Sequence, residues 1–390
     1  LNYHNNFAYS KATNKIEQAS VKDIVDMYNE WSPGGTWPSN GQPFDLWREF
    51  IIDYQMDPIG FESKAIQNGE YFNPKWGMYT PASGPGAGKY FYLKDNDPQN
   101  EMFDNFGFQQ THTVSATGGG DMISYRLALS YLDNDGPLKT DKDSYKRINS
   151  SSYVSADITS WFTTAFDVRY SRSNRRTLEN TFGNRIYDER YYQFFPGADS
   201  WTSAGDPTGP EYLNTSPLNY ILHGNPDEIF SSNSRIFSRT ILTPFDNFEG
   251  IFEYTFDERV GDKKSYPNSI NMRSDQMMSN PYADPTYRVD KSIIRYNAVN
   301  AYASYSHTLA DHHNLKLMGG FSQEQRYYEL LWTSRKGMIN EEIPSVTGGT
   351  GEILGGDAFT DFAIRSGFFR FNYDYAGRYL LEVNGRYDGS

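Results

Sequence analysis

Residues 114–136, VSATGGGDMISYRLALSYLDNDG, set three glycines between two runs in which apolar and polar residues alternate. In the second run Tyr125, Leu127, Leu129 and Tyr131 fall on one side of an extended chain, and Arg126, Ala128 and Ser130 on the other. A period of two marks a β-strand with one greasy and one wet face, because successive side chains leave the pleat in opposite directions. The pattern recurs along the chain. Phe162, Phe166, Val168 and Tyr170 oppose Thr163, Asp167 and Arg169, while Phe252, Tyr254 and Phe256 oppose Glu253, Thr255 and Asp257. Leu315, Leu317 and Phe321 alternate with Lys316 and Ser322. Phe369, Phe371, Tyr373 and Tyr375 oppose Arg370, Asn372 and Asp374. Past an Ala-Gly turn, Tyr379, Leu381, Val383 and Tyr387 oppose Glu382, Asn384 and Arg386. Less regular runs near 106–116, 145–158, 233–245 and 292–307 bring the expectation to roughly eleven or twelve strands.

The connections sort by length. Those at 118–121, 157–161, 245–250, 309–314 and 375–377 are short. Those at 22–102, 174–232, 261–290 and 329–360 are long and rich in Gly, Pro, Asn and Asp, and 132–143 is intermediate. After residue 102 short and longer connections alternate strictly, which puts every long loop at one end. The fold class expected is all-β: an antiparallel up-and-down transmembrane β-barrel with tight inner turns and long extracellular loops. Runs of about ten to fourteen residues match the ~9–11 that cross hydrocarbon at a tilt and exceed the ~5–6 of soluble strands. The greasy face would then meet outer-membrane lipid and the wet face, with Arg126, Asp167, Arg169 and Arg370, would line a polar lumen. The chain opens at Leu1 without an initiator or leader and stops at Ser390 inside an alternating run. The expectation is therefore about half of a larger barrel, with its plug domain absent.

Composition narrows the function. A net charge of -13 argues against nucleic acid, whose phosphates require a basic footprint. With no cysteine, disulfides, thiolate metal sites and cysteine nucleophiles are excluded. No stretch approaches the ~20 apolar residues of a membrane helix, but a barrel hides its signal in alternation, so a mean hydropathy of -0.71 does not count against one. The 31 tyrosines include Tyr125, Tyr131, Tyr170, Tyr375 and Tyr379 near strand ends, where an aromatic girdle lies. One segment departs from the period. In 18–31, Val21, Ile24, Val25 and Tyr28 recur at helical spacing behind Ser20 as N-cap, predicting a short amphipathic helix in the first long loop.

Taken together, FDNFGFQQTHTVSATGGGDMISYRLALSYLDNDGPLK, the following YKRINSSSYVSADITSWFTTAFDVRYSRS and the terminal GRYLLEVNGRYDGS resemble the barrel region of SusC/RagA-type TonB-dependent outer-membrane transporters of Bacteroidetes. The resemblance rests on the Gly-rich turn before a Ser-Tyr strand, the YLDNDG loop, the Arg-x-Asn strand and the closing Arg-x-Asp-Gly-Ser. It implies a barrel of about 22 strands filled by an N-terminal plug. It also implies uptake of oligosaccharides or peptides, energised through TonB, and a SusD-like surface lipoprotein as lid.

The candidate ligand-binding residues are the loop aromatics Trp31, Trp37, Trp47, Trp76, Trp201 and Tyr212. Flat rings stack on sugar C–H faces or hold peptide side chains at low entropic cost. The same rings would also serve as small cores of long loops. DNDG at 133–136, with Asp141 and Asp143, lacks the carboxylate pattern of a calcium loop and reads as a solvated turn. DHHN at 311–314 puts neighbouring imidazoles on opposite faces of a strand, and Glu341 and Glu342 sit in a Gly-rich loop. No metal or cofactor is expected. No nucleophile elbow, zincin or phosphate-loop motif is present, so no enzyme is expected either. The competing reading is a soluble, secreted all-β carbohydrate-binding protein or glycoside hydrolase with a tryptophan-lined cleft.

Overall fold

Two classes of element emerge from the computed structural model. It describes residues 1–390 apart from 12–18, 38–40, 76, 96–101, 104–105, 179–199, 202–211, 215–216, 268, 270–271, 275–276 and 280–283. The wall strands are β1 (Asn2–Ser10), β5 (Gly107–Gly119), β6 (Ile123–Asp135), β7 (Ser144–Thr159), β8 (Phe162–Thr177), β11 (Asp227–Leu242), β12 (Phe248–Ser265), β15 (Tyr287–Leu309), β16 (His313–Arg335), β17 (Ile353–Tyr375) and β18 (Tyr379–Gly389). Between β1 and β5 lie helices α1 (Val21–Trp31), α2 (Phe44–Met56) and α3 (Pro58–Gln67) and strands β2 (Tyr71–Asn73), β3 (Met78–Thr80) and β4 (Phe91–Tyr92). The outer loops also hold β9 (Ser200–Trp201), β10 (Tyr212–Asn214), a short helix α4 (Pro217–His223), β13 (Met272–Ser274) and β14 (Met277–Ser279).

The eleven wall strands form one sheet in sequence order, β1-β5-β6-β7-β8-β11-β12-β15-β16-β17-β18, every pairing antiparallel. This is the up-and-down arrangement expected. The inner turns are tight because their residues accept left-handed conformations. Ala310 and Asp311 have φ of 50° and 59°, and Ala376 and Gly377 have 50° and 70°. Such consecutive positive φ values match the right-handed twist of a hairpin.

Register fixes the two faces. One row runs Tyr125, Val154, Phe166, Ser238, Tyr254, Val299 across six strands. The residues between them in sequence point the other way. The apolar face stands open, with Leu127 44%, Phe166 49%, Leu317 57% and Phe369 50% exposed. Among the described residues no second sheet pairs with this layer and no helix packs across it. A soluble sandwich would bury that face against another layer.

The outer face is not apolar along its whole length. On β12 it runs Phe248, Phe252, Tyr254, Phe256 and then turns to Glu258. On β15 Val299 gives way to Asn297 and Arg295, and on β16 Phe321 gives way to Gln323 and Gln325. Beyond that line polar side chains interlock: Arg295 Nε donates to Glu258 at 2.6 Å and Arg365 Nε to Gln323 at 2.9 Å. Phe248 to Phe256 is about 26 Å of strand, the scale of the apolar band of an outer-membrane barrel.

The wall extends well past this band. Strands β15, β16 and β17 each have 23 residues, about 75 Å of chain at ~3.3 Å per residue. Apolar periodicity predicts shorter runs because the alternation breaks at Glu258, Arg295 and Gln323; beyond them polar and apolar residues mix on both faces, as at Glu329, Leu330, Leu331 and Trp332. β1 was outside the sequence expectation as well, although Tyr3, Phe7 and Tyr9 alternate with Asn2, His4, Asn6 and Ala8.

Candidate ligand-facing surfaces

Two surfaces carry the candidate residues: the insertion between β1 and β5, and the polar side of the wall. In the insertion, Ser20 caps α1, its hydroxyl accepting from Asp23 N at 3.0 Å, as the sequence predicts. Val21, Ile24 and Val25 turn inward. Helices α2 and α3 go beyond the sequence reading. Asp57 caps α3 by accepting from Gly60 N at 2.9 Å, ahead of Pro58 at its first turn. Val21, Val25, Phe44, Trp47, Ile51, Ala65, Met78, Phe91 and Leu93 close a compact core beneath the three-stranded sheet β2-β3-β4.

The candidate aromatics separate by environment. Trp47 is 2% exposed, and its indole N–H donates to Tyr92 O at 2.8 Å. Its ring meets Trp37 edge-on at 5.9 Å and Phe91 at 5.9 Å. Trp37 is half-buried against Tyr28 and Phe44. These two rings hold the insertion together. Trp31, at the end of α1, is 75% exposed with one edge on Tyr28. Trp76 lies outside the described residues. Trp201 and Tyr212 belong to β9 and β10, which pair with each other.

A hollow of about 380 Å³ opens beside this core, floored by Phe50, Phe61 and Tyr79 and rimmed by Asp53, Asp57, Lys64 and Glu70. The Tyr79 hydroxyl donates to Glu70 at 3.0 Å. Burial, then the neighbouring Glu70 carboxylate, pushes that phenol far above its ordinary range, so it stays a neutral donor.

On the wall, Arg126, Tyr153 and Asp167 sit side by side on neighbouring strands, and Arg169 follows two residues along. Arg169 Nε and Nη2 reach the two Asp167 oxygens, each at 2.8 Å. With Ser151, these residues line a hollow of about 470 Å³ on the polar face. Nearby, Arg239 meets Glu253 at 3.4 Å, and Tyr296 donates to Glu324 at 2.8 Å. Toward the outer rim, Arg288 lies over the Trp332 ring at 4.3 Å while its guanidinium holds Asp290 at 2.6 Å. Trp332 is not among the candidates read from the sequence, although it falls in the stretch 329–360 expected as a long loop; the structure places it in strand β16. Its signal was its place in strand register, opposite Asp290 and next to outward-facing Leu331.

Among the described residues no group of three or more His, Asp or Glu side chains is placed to hold a metal ion. His313 Nδ1 pairs instead with the Tyr373 hydroxyl at 2.8 Å, and Asp133, Asn134 and Asp135 form not a solvated turn but the end of β6, paired with Lys146, Tyr145 and Ser144, with Lys146 at 3.5 Å from Asp133.

No family model matches the chain. Among curated proteins it is similar to TonB-dependent receptor P26 of Formosa agariphila, 24% identical over 292 residues, covering 71% of this chain and 27% of that receptor. TonB-dependent receptor P3 of the same organism is 22% identical over 313 residues, covering 76% of this chain and 29% of the receptor. The chain thus spans about a quarter of the length of these relatives. Among solved structures, the RagAB peptide importer in its closed-closed state superposes on 99% of this chain and 41% of its own, with a TM-score of 0.69 at 15% identity. The RagAB peptide transporter gives the same TM-score at 17% identity.

Proposed function

We propose that this chain, a barrel segment of the SusC/RagA type of TonB-dependent receptor, forms wall and outer loops of an outer-membrane importer for oligosaccharides or peptides. The observation that carries this reading is the open apolar face of the wall, bounded outward by a belt of ion pairs and hydrogen bonds. Hydrocarbon covers such a face without a second protein layer, and the polar face then lines the passage. In the whole protein, uptake is energised through TonB and a SusD-like lipoprotein closes the outer end. Of the candidate aromatics, the exposed Trp31 is free to meet ligand or lid, and Trp332 adds a ring on the inner face near the rim. Trp201 and Tyr212 remain in the proposed ligand set through their outer-loop position.

The test uses the full-length protein in its native host. Membranes are fractionated and uptake of labelled oligosaccharides and peptides is compared with a deletion strain. The reading expects recovery in the outer membrane, extraction only by detergent, and loss of uptake on deletion. Recovery in the soluble fraction contradicts it.

A further inference from the structure

We infer that the inner wall carries a binding band for an anionic oligomer, one whose repeating units bear carboxylate or sulfate groups. The inference rests on the receptor reading, which makes the polar face the one a ligand passes.

Strand register writes the band as a row: Ser151, Arg169, Arg235, Asp257, Tyr296, Arg326 and Phe362 lie side by side from β7 to β17. Arg259 lies in the adjoining row beside Asn233 and Ile294, and Arg126 in the row on the other side, opposite Tyr153. The acids within the same patch are Asp167, Asp257 and Glu324. Two of them are engaged: Asp167 by Arg169, and Glu324 by the Tyr296 hydroxyl. Arg126, Arg235, Arg259 and Arg326 are exposed on this face and have no ion-pair or hydrogen-bond partner among the described residues.

One pairing is unfavourable as it stands. Arg169 and Arg235 are direct cross-strand neighbours, and like charges in that position destabilise a sheet. Asp167 engages Arg169 through two hydrogen bonds; Asp257, on the other side of Arg235, is its direct cross-strand neighbour but makes no ion pair or hydrogen bond with it. A bound anion between these guanidiniums removes the conflict. Their planar forks grip carboxylate or sulfate in two parallel hydrogen bonds and stay charged at every working pH. Between the charges stand Tyr153, Tyr296 and Phe362, rings that offer flat contact to the body of an oligomer. The chain as a whole is acidic at -13, so this band is a local inversion of its charge and not a reflection of composition.

The experiment uses the full-length protein purified from outer membranes in detergent. Oligogalacturonate, sulfated carrageenan oligosaccharide, oligoglutamate and neutral maltodextrin are titrated against it and against Arg235→Gln and Arg326→Gln. The inference expects an anionic probe to bind, its affinity to fall with rising salt, and each variant to weaken it about ten-fold with the melting temperature unchanged. Preference between oligoglutamate and the acidic glycans identifies the source of the anion. It is overturned if maltodextrin binds as well as the anions, if no anion binds, or if the variants lower melting temperature alone, which would make the arginines seats for another part of the protein. Failure of the receptor reading is separate: it shows in the fractionation, whatever the protein binds.

Discussion

The wall and the β1–β5 insertion use the same kinds of side chain and do opposite things with them. In the insertion, aromatic and aliphatic groups leave solvent altogether: Phe91 and Val25 are 0% exposed, and Trp47 points its one polar atom at a backbone carbonyl. In the wall, Phe166 and Phe369 are about as exposed as buried, and ordered sheet forms around them nonetheless. Backbone pairing explains how. A long antiparallel ladder satisfies its own amides and carbonyls, so the wall needs no packed interior to keep its shape. The insertion has short helices and strands and must gather a core. High aromatic content therefore says little by itself. Its period decides whether a ring meets protein or lipid.

Substitutions at matched positions sharpen this contrast. Trp47→Ala should cost the insertion about 3–5 kcal/mol, through lost burial and an unpaired Tyr92 carbonyl. Loss of near-UV circular dichroism, with protease cleavage confined to 21–95, would report it, while the far-UV β-sheet signal of the wall stays unchanged. The neighbours Leu127 and Ala128 point to opposite faces. Leu127→Arg should cost about 2–4 kcal/mol of folding stability in lipid, and Ala128→Arg on the polar face close to nothing. Equal penalties at the two positions would break the distinction between the faces.

Smaller effects follow at the insertion and the loops. Ser20→Ala should lower the insertion's stability by about 1 kcal/mol, by removing the hydroxyl that accepts from Asp23 N. Tyr266 gives a pH signature. Burial, helped by the charges of Glu341 and Asp284, pushes its phenol up to about 12. An unfolded phenol ionises near ~10, so between these values the unfolded state releases a proton that the folded state keeps. Stability from this group is complete below pH ~10 and falls as pH rises toward 12. Melting curves across that range should show the loss, and Tyr266→Phe should abolish this contribution.

Most of the wall is legible in the sequence, because a strict apolar–polar period runs through β6, β8, β12 and β18. Where that constraint lapses the text goes quiet. The outer halves of β15–β17, from Arg295 and Gln323 outward, mix polar and apolar groups on both faces, as Gln325, Tyr327, Glu329 and Leu331 on one and Arg326, Tyr328, Leu330 and Trp332 on the other, and leave no alternation to read. Helix α1 is readable from Ser20 and Val21, Ile24 and Val25. Helix α2 is not, because Leu46 and Phe50 pack against the same core as the fully buried Phe44, Trp47 and Ile51, which widens the apolar face and blurs the helical period. The inner arginine band could not be found by counting charges in an acidic chain. It appears only when register sets Arg169 beside Arg235.

These 390 residues contain no cysteine, so with any cysteine elsewhere in the full-length protein replaced by serine, one measurement becomes direct. Leu127, Phe166 and Phe369 on the apolar face and Arg126, Asp167 and Arg370 on the polar face are replaced singly by cysteine in the full-length protein. Each is spin-labelled in lipid and exposed to oxygen and to a water-soluble nickel chelate. The account expects strong oxygen and weak nickel relaxation at the first three positions and the reverse at the others. Labels on the apolar face that are shielded from both agents would mean that protein covers it, and would contradict the membrane wall.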